Sequence, residues 1–211
     1  MPLRVEAVYG TPNWVAARRG CASASRMNDV LATSKRDGKP LKARTDYLME
    51  LVSELMTGLA TDHYVTPAMQ WGIDHEAQAS DQYEIETGIV VASAGWILHP
   101  SIDFFGATPD RAVQSDGLIE IKCPTTTTFL TWVRNGCVPE EHRAQMLAQL
   151  ACTRRKWCDF VAFDPRVAGC RNPIFIRRFV PTPEQISEIE QAAVNFLKDV
   201  EEVFCAVVQD A

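Results

Sequence analysis

The chain has 211 residues, of which 46% are hydrophobic and 23% charged, and a formal net charge of −6. This length suits one domain with a proper core, and only 11 Gly and 12 Pro exclude collagen-like or low-complexity chains. No run approaches the ~20 uninterrupted apolar residues of a membrane span, and Met1-Pro2-Leu3-Arg4-Val5-Glu6 carries no apolar leader, so a cytoplasmic protein is expected.

The seven cysteines, Cys21, Cys123, Cys137, Cys152, Cys158, Cys170 and Cys205, form no C-x-x-C pair and read as small apolar residues in a reducing compartment. Charge is unevenly spread. Residues 14–44 have a net charge of +6, 45–133 of −11, 134–178 of +5, and the tail from 179 of −6. Basic stretches flanking an acidic middle suit a protein that grips phosphates while gathering carboxylates around metal ions.

Tyr47, Leu48, Leu51, Val52, Leu55, Met56 and Leu59 recur at helical spacing and predict a helix over 45–58, with Thr45 as N-cap and Gly58 as stop. A second helix is predicted over 67–86, ending at Thr87-Gly88. Strands follow at Ile89–Ala92, Trp96–Leu98, Phe104-Phe105 and Leu118–Lys122, with Ser115-Asp116-Gly117 as a hairpin turn after Ala112-Val113. A helix over 140–155, strands at Phe160–Phe163 and Ile174–Ile176, and a last helix complete the pattern. Thr182-Pro183-Glu184-Gln185 is a capping box for that helix, whose apolar face is Ile186, Ile189, Ala193, Phe196, Leu197, Val200 and Phe204. The order implies an α/β (α+β) fold with a mixed β-sheet flanked by helices.

The chemical signal lies in Gly106-Ala107-Thr108-Pro109-Asp110 and Glu120-Ile121-Lys122-Cys123-Pro124. Alternation puts Glu120 and Lys122 on one face of a strand whose Ile119 and Ile121 face a core. The intervening hairpin can bring Asp110 beside Glu120. Two carboxylates, the Ile121 carbonyl and an ammonium at a sheet edge could hold Mg²⁺, which favours oxygen donors, and position a water for attack on phosphorus. A salt bridge between neighbouring strands is the plainer alternative.

Further blocks appear in order: Trp14-Val15-Ala16-Ala17-Arg18-Arg19-Gly20 with Ser23-Ala24-Ser25, Trp71-Gly72-Ile73-Asp74-His75-Glu76, Arg143-Ala144-Gln145, and Phe163-Asp164-Pro165-Arg166. With the P-D…E-x-K core, they make residues 14–165 resemble the lambda-type exonucleases, the YqaJ-like viral recombinase family of restriction-endonuclease-like nucleases. The resemblance implies one nuclease domain over 1–211. Residues 1–44 would be a basic N-terminal segment with a 5′-phosphate pocket, and 182–211 a C-terminal helix.

The resemblance further implies that Asp110, Glu120, the Ile121 carbonyl and Glu76 bind metal, that Lys122 orients the attacking water, and that Gln145 braces the site. Arg18, Ser23, Ser25 and Thr108 would hold the 5′-phosphate. Lys35 would add a phosphate contact, and Met69 would serve as a wedge at the DNA end or as ordinary packing. His63, His75, His99 and His142 show no ligand spacing.

The implied activity is a 5′→3′ exonuclease on linear double-stranded DNA, with two Mg²⁺ ions per site and Mn²⁺ as a substitute. It would release 5′-mononucleotides and leave a 3′ strand for recombination and repair. A homotrimeric ring, a single-strand annealing partner and a phage or prophage setting in a bacterial cytoplasm are implied as well. Two alternatives stand beside this: an iron–sulfur nuclease using Cys21, Cys152, Cys158 and Cys170, and an inactive DNA-end-binding module. Arg111 stands where the family commonly has Gly, and Cys137 and Pro139 lie in a stretch that does not align. Neither departure is expected to touch the chemistry.

Overall fold

The structure, a computed structural model, describes residues 6–8, 10–62, 64–169 and 171–209. His63 and Cys170 lie outside the described residues. Helix α1 (Pro12–Arg18), absent from the sequence expectation, is capped by Thr11, whose hydroxyl accepts from the Trp14 amide at 3.2 Å. Strand β1 (Ala22–Ser23) and helix α2 (Met27–Val30) lead into α3 (Lys42–Thr57). Because α3 begins at Lys42, Thr45 lies inside its first turn and its hydroxyl bonds back to the Leu41 carbonyl. Gly58 stops the helix as expected, in the left-handed conformation at φ 67°.

Helix α4 (Pro67–Thr87) is capped by Thr66 and ends on Gly88. Strands β2 (Val91–Ser93), β3 (Ile97–Leu98), β4 (Phe105–Ala107), β5 (Arg111–Val113) and β6 (Gly117–Lys122) follow. Helix α5 (Thr126–Asn135) had no signal in the sequence. Its first turn is a run of β-branched threonines, poor helix formers, but Thr125 caps it and Phe129 and Trp132 are buried. Tertiary burial overrides local preference there. The chain ends with α6 (Glu140–Thr153), β7 (Trp157–Phe163), β8 (Ile174–Phe179) and α7 (Pro183–Gln209).

Two sheets form where one was expected. The larger has the order β2-β5-β6-β7-β8, and the smaller β1-β4-β3. Within the larger, β6 and β7 are parallel and the other neighbours antiparallel. The α5–α6 connection makes the crossover that a parallel pair needs. Strand β6 is therefore interior rather than at a sheet edge, which corrects the expectation for Glu120 and Lys122.

Each face of this sheet is covered. Leu118, Phe160 and Phe175 pack with Phe129 and Trp132 of α5 and Met146 and Leu150 of α6. On the opposite face Ile119, Ile121, Val161 and Phe163 pack with Ala79 and Tyr83 of α4. A third cluster joins α3, α6 and α7 to Ala22, Phe105 and Ala107 of the small sheet.

The capping box of α7 forms as its sequence requires. The Thr182 amide donates to Gln185 Oε1 at 2.9 Å, and the Gln185 amide donates to the Thr182 hydroxyl at 3.3 Å. Phe196 of α7 is fully buried and stacks on Tyr47 of α3 with ring centroids 5.3 Å apart. Phe196→Ala should cost about 3–5 kcal/mol by opening a cavity that the surrounding helices cannot fill. Urea denaturation followed by circular dichroism checks this.

Candidate active site

Strand β6 carries Glu120 and Lys122 on the face that α6 covers. Glu120 is fully buried, and its Oε1 lies 2.5 Å from Lys122 Nζ. The other oxygen, Oε2, accepts from Gln149 Nε2 at 2.5 Å. Asp110 enters just before β5, and its Oδ2 accepts from the Ile121 amide at 2.6 Å. The antiparallel β5–β6 pairing, with Arg111 opposite Ile119 and Val113 opposite Gly117, puts Asp110 beside β6 as the hairpin expectation required.

The preceding Gly106 is sterically dictated, since a Cβ there would lie 2.3 Å from the Trp96 ring. Strand β4 can thus pass close under Trp96 and deliver Thr108, Pro109 and Asp110 to the site.

One cavity of about 240 Å³ is lined by Asp110, Glu120, Lys122, Glu76, Gln145, Arg18, Ser23, Ser25 and Thr108. Nine of the expected side chains thus come together from α1, β1 and the turn after it, α4, the β4–β5 connection, β6 and α6. Arg18 lies 4.1 Å from the centroid of the Trp14 ring, and Trp14 Nε1 donates to the Thr108 hydroxyl at 3.0 Å. The Ser23 and Ser25 hydroxyls are 3.0 Å apart. Helix α3 fixes this corner: the Tyr47 hydroxyl accepts from the Ser23 amide at 2.9 Å, and Glu54 Oε2 accepts from the Gly20 amide at 2.8 Å.

Two expected residues fall elsewhere. Lys35 lies exposed in a turn between α2 and α3 and does not line the cavity. Met69 is 51% exposed on the first turn of α4, and it too stands outside the cavity.

Gln149 was missed by the sequence reading. It is fully buried and one helical turn beyond Gln145, so both amides enter the cavity from one face of α6. The A-Q-x-x-x-Q spacing was the available signal. Arg111 was misjudged. Its Nη1 donates to Glu76 Oε1 at 2.7 Å and to the Asp110 carbonyl at 2.6 Å, and its Nε donates to the Ser80 hydroxyl at 3.1 Å. This departure from the family pattern therefore does touch the site.

The outer blocks meet one another. Arg166 lies 4.5 Å above the Trp71 ring, bonds Asp164 Oδ1 at 2.6 Å and donates to the Pro124 carbonyl at 2.8 Å. The W-G-x-x-x-E helix, the end of β6 and the F-D-P-R turn are thereby held together. Cys21, Cys152 and Cys158 belong to three separate hydrophobic clusters, and among the described residues no three cysteine, histidine or acidic side chains gather in a group that could hold a metal. The Cys123 thiol is pushed up to about 12 by burial and then by Glu76 and Asp110, so it stays protonated.

The electrostatics favour a cation. Burial, then the charge of Glu120, pushes the Asp110 carboxyl well above its ordinary range, with Lys122 opposing. Burial works against the Lys122 ammonium, but Glu120, Asp110 and Glu76 outweigh it and raise its pKa. Among the described residues no three acidic, His or Cys side chains close a complete metal cage. Asp110 and Glu120 are nevertheless hard oxygen donors crowded against one another, which fits a Mg²⁺ ion that keeps several waters.

Together the fold and this P-D…E-x-K arrangement define a restriction-endonuclease-like α+β protein. The chain belongs to the YqaJ-like viral recombinase domain family, which it matches over residues 13–156. It is similar to the alkaline exonuclease LHK-Exo from Laribacter hongkongensis, at 38% identity over 95% of this chain and 97% of that one, with a TM-score of 0.86. The structure of LHK-Exo in complex with dAMP matches with the same identity, coverage and TM-score. A phage-related exonuclease from Haemophilus somnus 129PT shares the fold at 12% identity, over 89% of this chain and 96% of that one, with a TM-score of 0.68. No curated protein sequence matches the chain significantly.

The raised Asp110 pKa has a consequence for stability. In metal-free protein Asp110 keeps its proton to a pH at which the unfolded chain has lost it, so the folded state binds more protons across that window. Stability is then fully present below the ordinary carboxylate pKa of about 4 and is lost as pH rises through the raised value. Thermal melts in EDTA should show the melting temperature falling over that interval. Asp110→Asn should flatten the slope, and Mg²⁺ should restore the wild-type protein at the upper end.

Proposed function

We propose that the protein is a Mg²⁺-dependent 5′→3′ exonuclease that degrades one strand of linear double-stranded DNA to 5′-mononucleotides. Membership of the family and the 38% identity to an alkaline exonuclease support DNA exonuclease chemistry. The observation that carries the reading is the hydrogen bond from the Ile121 amide to Asp110, which holds one carboxylate beside Glu120 and Lys122 in the same cavity as Arg18.

Asp110, Glu120 and the Ile121 carbonyl would hold the metal, with Glu76 as a further donor, and two ions per site are proposed. Bound Mg²⁺ supplies Lewis-acid stabilisation of the phosphoryl and leaving oxygens. Gln149 holds one oxygen of Glu120 and Lys122 the other, so the carboxylate has a fixed direction. Lys122, kept charged, donates its protons rather than accepting one. It orients a water for in-line attack on phosphorus by offering hydrogen bonds to that oxygen and to the phosphate.

Arg18, the two serine hydroxyls and Thr108 line one corner of the cavity and would supply guanidinium and hydroxyl donors of the kind that suit phosphate oxygens. Cutting the P–O3′ bond releases a 5′-mononucleotide with a free 3′-hydroxyl and leaves a new 5′-phosphate on the shortened strand. The product of each cycle thus presents the group that the pocket recognises. A homotrimeric ring around the duplex, a single-strand annealing protein that takes the 3′ strand, and a role in recombination in a bacterial cytoplasm complete the proposal. A ring would reconcile the net charge of −6 with DNA binding, since only its inner wall must be basic.

A duplex labelled separately at each end, digested with and without Mg²⁺, tests activity, polarity and metal need together. Label released only from 5′ ends and only with the metal is expected. Binding without nucleotide release would instead favour the inactive end-binding module. Lys122→Ala or Glu120→Ala should lower hydrolysis at least ~10²-fold while DNA binding stays measurable. Arg18→Ala should erase the preference for 5′-phosphorylated over 5′-hydroxyl ends, and a preference left intact would refute the pocket.

A further inference from the structure

Arg111 joins β5 to α4 through two acceptors on the helix and also bonds the carbonyl of the residue before it. Its guanidinium donates to Glu76 Oε1 at 2.7 Å, to the Asp110 carbonyl at 2.6 Å and to the Ser80 hydroxyl at 3.1 Å. Its side chain is 19% exposed and that of Glu76 28%, so the pair is sheltered from solvent screening, unlike an ordinary surface ion pair. All but Ser80 of these partners line the cavity that holds Glu120 and Lys122. Glu76 and Ser80 stand one turn apart on α4, so one planar side chain fixes both the helix face and the direction of the Glu76 carboxylate.

We propose that Arg111 is a built-in cation that holds Glu76 out of the metal shell and thereby sets the metal concentration at which the site fills. The inference rests on the nuclease reading above and deepens it. The site presents the carboxylates of Asp110, Glu120 and Glu76 against the cations of Lys122 and Arg111. With all five ionised, the cluster carries one net negative charge, and removing Arg111 leaves it with two. A guanidinium does not lose its proton at any working pH, so only displacement of the side chain relieves its effect.

A divalent ion arriving at Asp110 and Glu120 is repelled by Arg111 and cannot recruit Glu76 until the guanidinium lets go. The local chemistry therefore makes Glu76 a conditional donor. It also accounts for the lack of a closed cage among the described residues, since the third carboxylate is already engaged. A purely architectural Arg111, stapling α4 to β5, would make the opposite prediction: its loss would loosen Glu76 and weaken metal binding.

Mn²⁺ binding to DNA-free protein, measured by electron paramagnetic resonance titration, separates these cases without any catalytic readout. Arg111→Met, which keeps the bulk of the side chain and removes its charge, should bind Mn²⁺ about tenfold more tightly than wild type. Arg111→Lys should stay near wild type because the charge remains. The double variant R111M/E76Q should lose the gain, since the freed donor is then absent.

Unchanged or weaker binding by R111M, or a gain that persists in the double variant, would overturn the proposal. Melting temperatures are followed in parallel. If the Met side chain destabilises the protein, Arg111→Gln carries the same comparison, because its amide can still donate to Ser80. Wild-type protein that binds no Mn²⁺, even when Asp110→Asn is used as the blank, would defeat the nuclease reading. Wild-type binding that R111M leaves alone defeats only the role of Arg111.

Discussion

Two carboxylates that repel each other are held together at the end of an interior strand, and the surrounding residues are arranged around that repulsion. Asp110 is held by the Ile121 amide, while Glu120 is held by Gln149 on one oxygen and Lys122 on the other. Burial of such groups without compensation is costly. The compensation comes from a backbone amide and an ammonium of β6 itself and from a side-chain amide of α6. Under the proposed function a divalent cation would add positive charge to this set, in which Lys122 already pairs with Glu120.

That constraint explains the layering. Strand β6 must be interior so that α4 can approach one face and α6 the other, bringing Glu76 from one side and Gln145 with Gln149 from the other. The small sheet supplies the third direction. Its parallel β1–β4 pairing sets Ser23 beside Gly106, so that the N-terminal serines and the loop reaching Asp110 share one corner. Tyr47 and Glu54 of α3 hold that corner by bonding backbone amides rather than side chains, which fixes the position of Ser23 whatever its own hydroxyl binds.

Function sits where these layers converge. Arg18, Ser23, Ser25 and Thr108 line the same cavity as the Asp110–Glu120 carboxylates, so under the proposed function a terminal phosphate and the next phosphodiester would be met side by side. Arg111 adds a counter-charge to the same cavity by pairing with the Glu76 carboxylate. The carboxylates of the cavity and their counter-charges are thus parts of one electrostatic balance.

The sequence alone determined what local chemistry encodes. The capping box at Thr182, the terminating Gly58 and Gly88, the 3.6-residue stripe of α7 and the P-D…E-x-K core are all short-range patterns. Each carries its physical cause within a few residues, as the hydrogen bonds at Thr182 and the left-handed glycines bear out. Only the tertiary structure decided the rest. Threonine-rich α5 is a helix because Phe129 and Trp132 find a core, and β6 is interior because a crossover places β7 beside it. Gln149 reaches Glu120 across 29 positions and Arg111 reaches Glu76 across 35. Pairings of that separation leave no periodic mark in a chain, because the energy that selects them arises only when distant segments have packed and water has left.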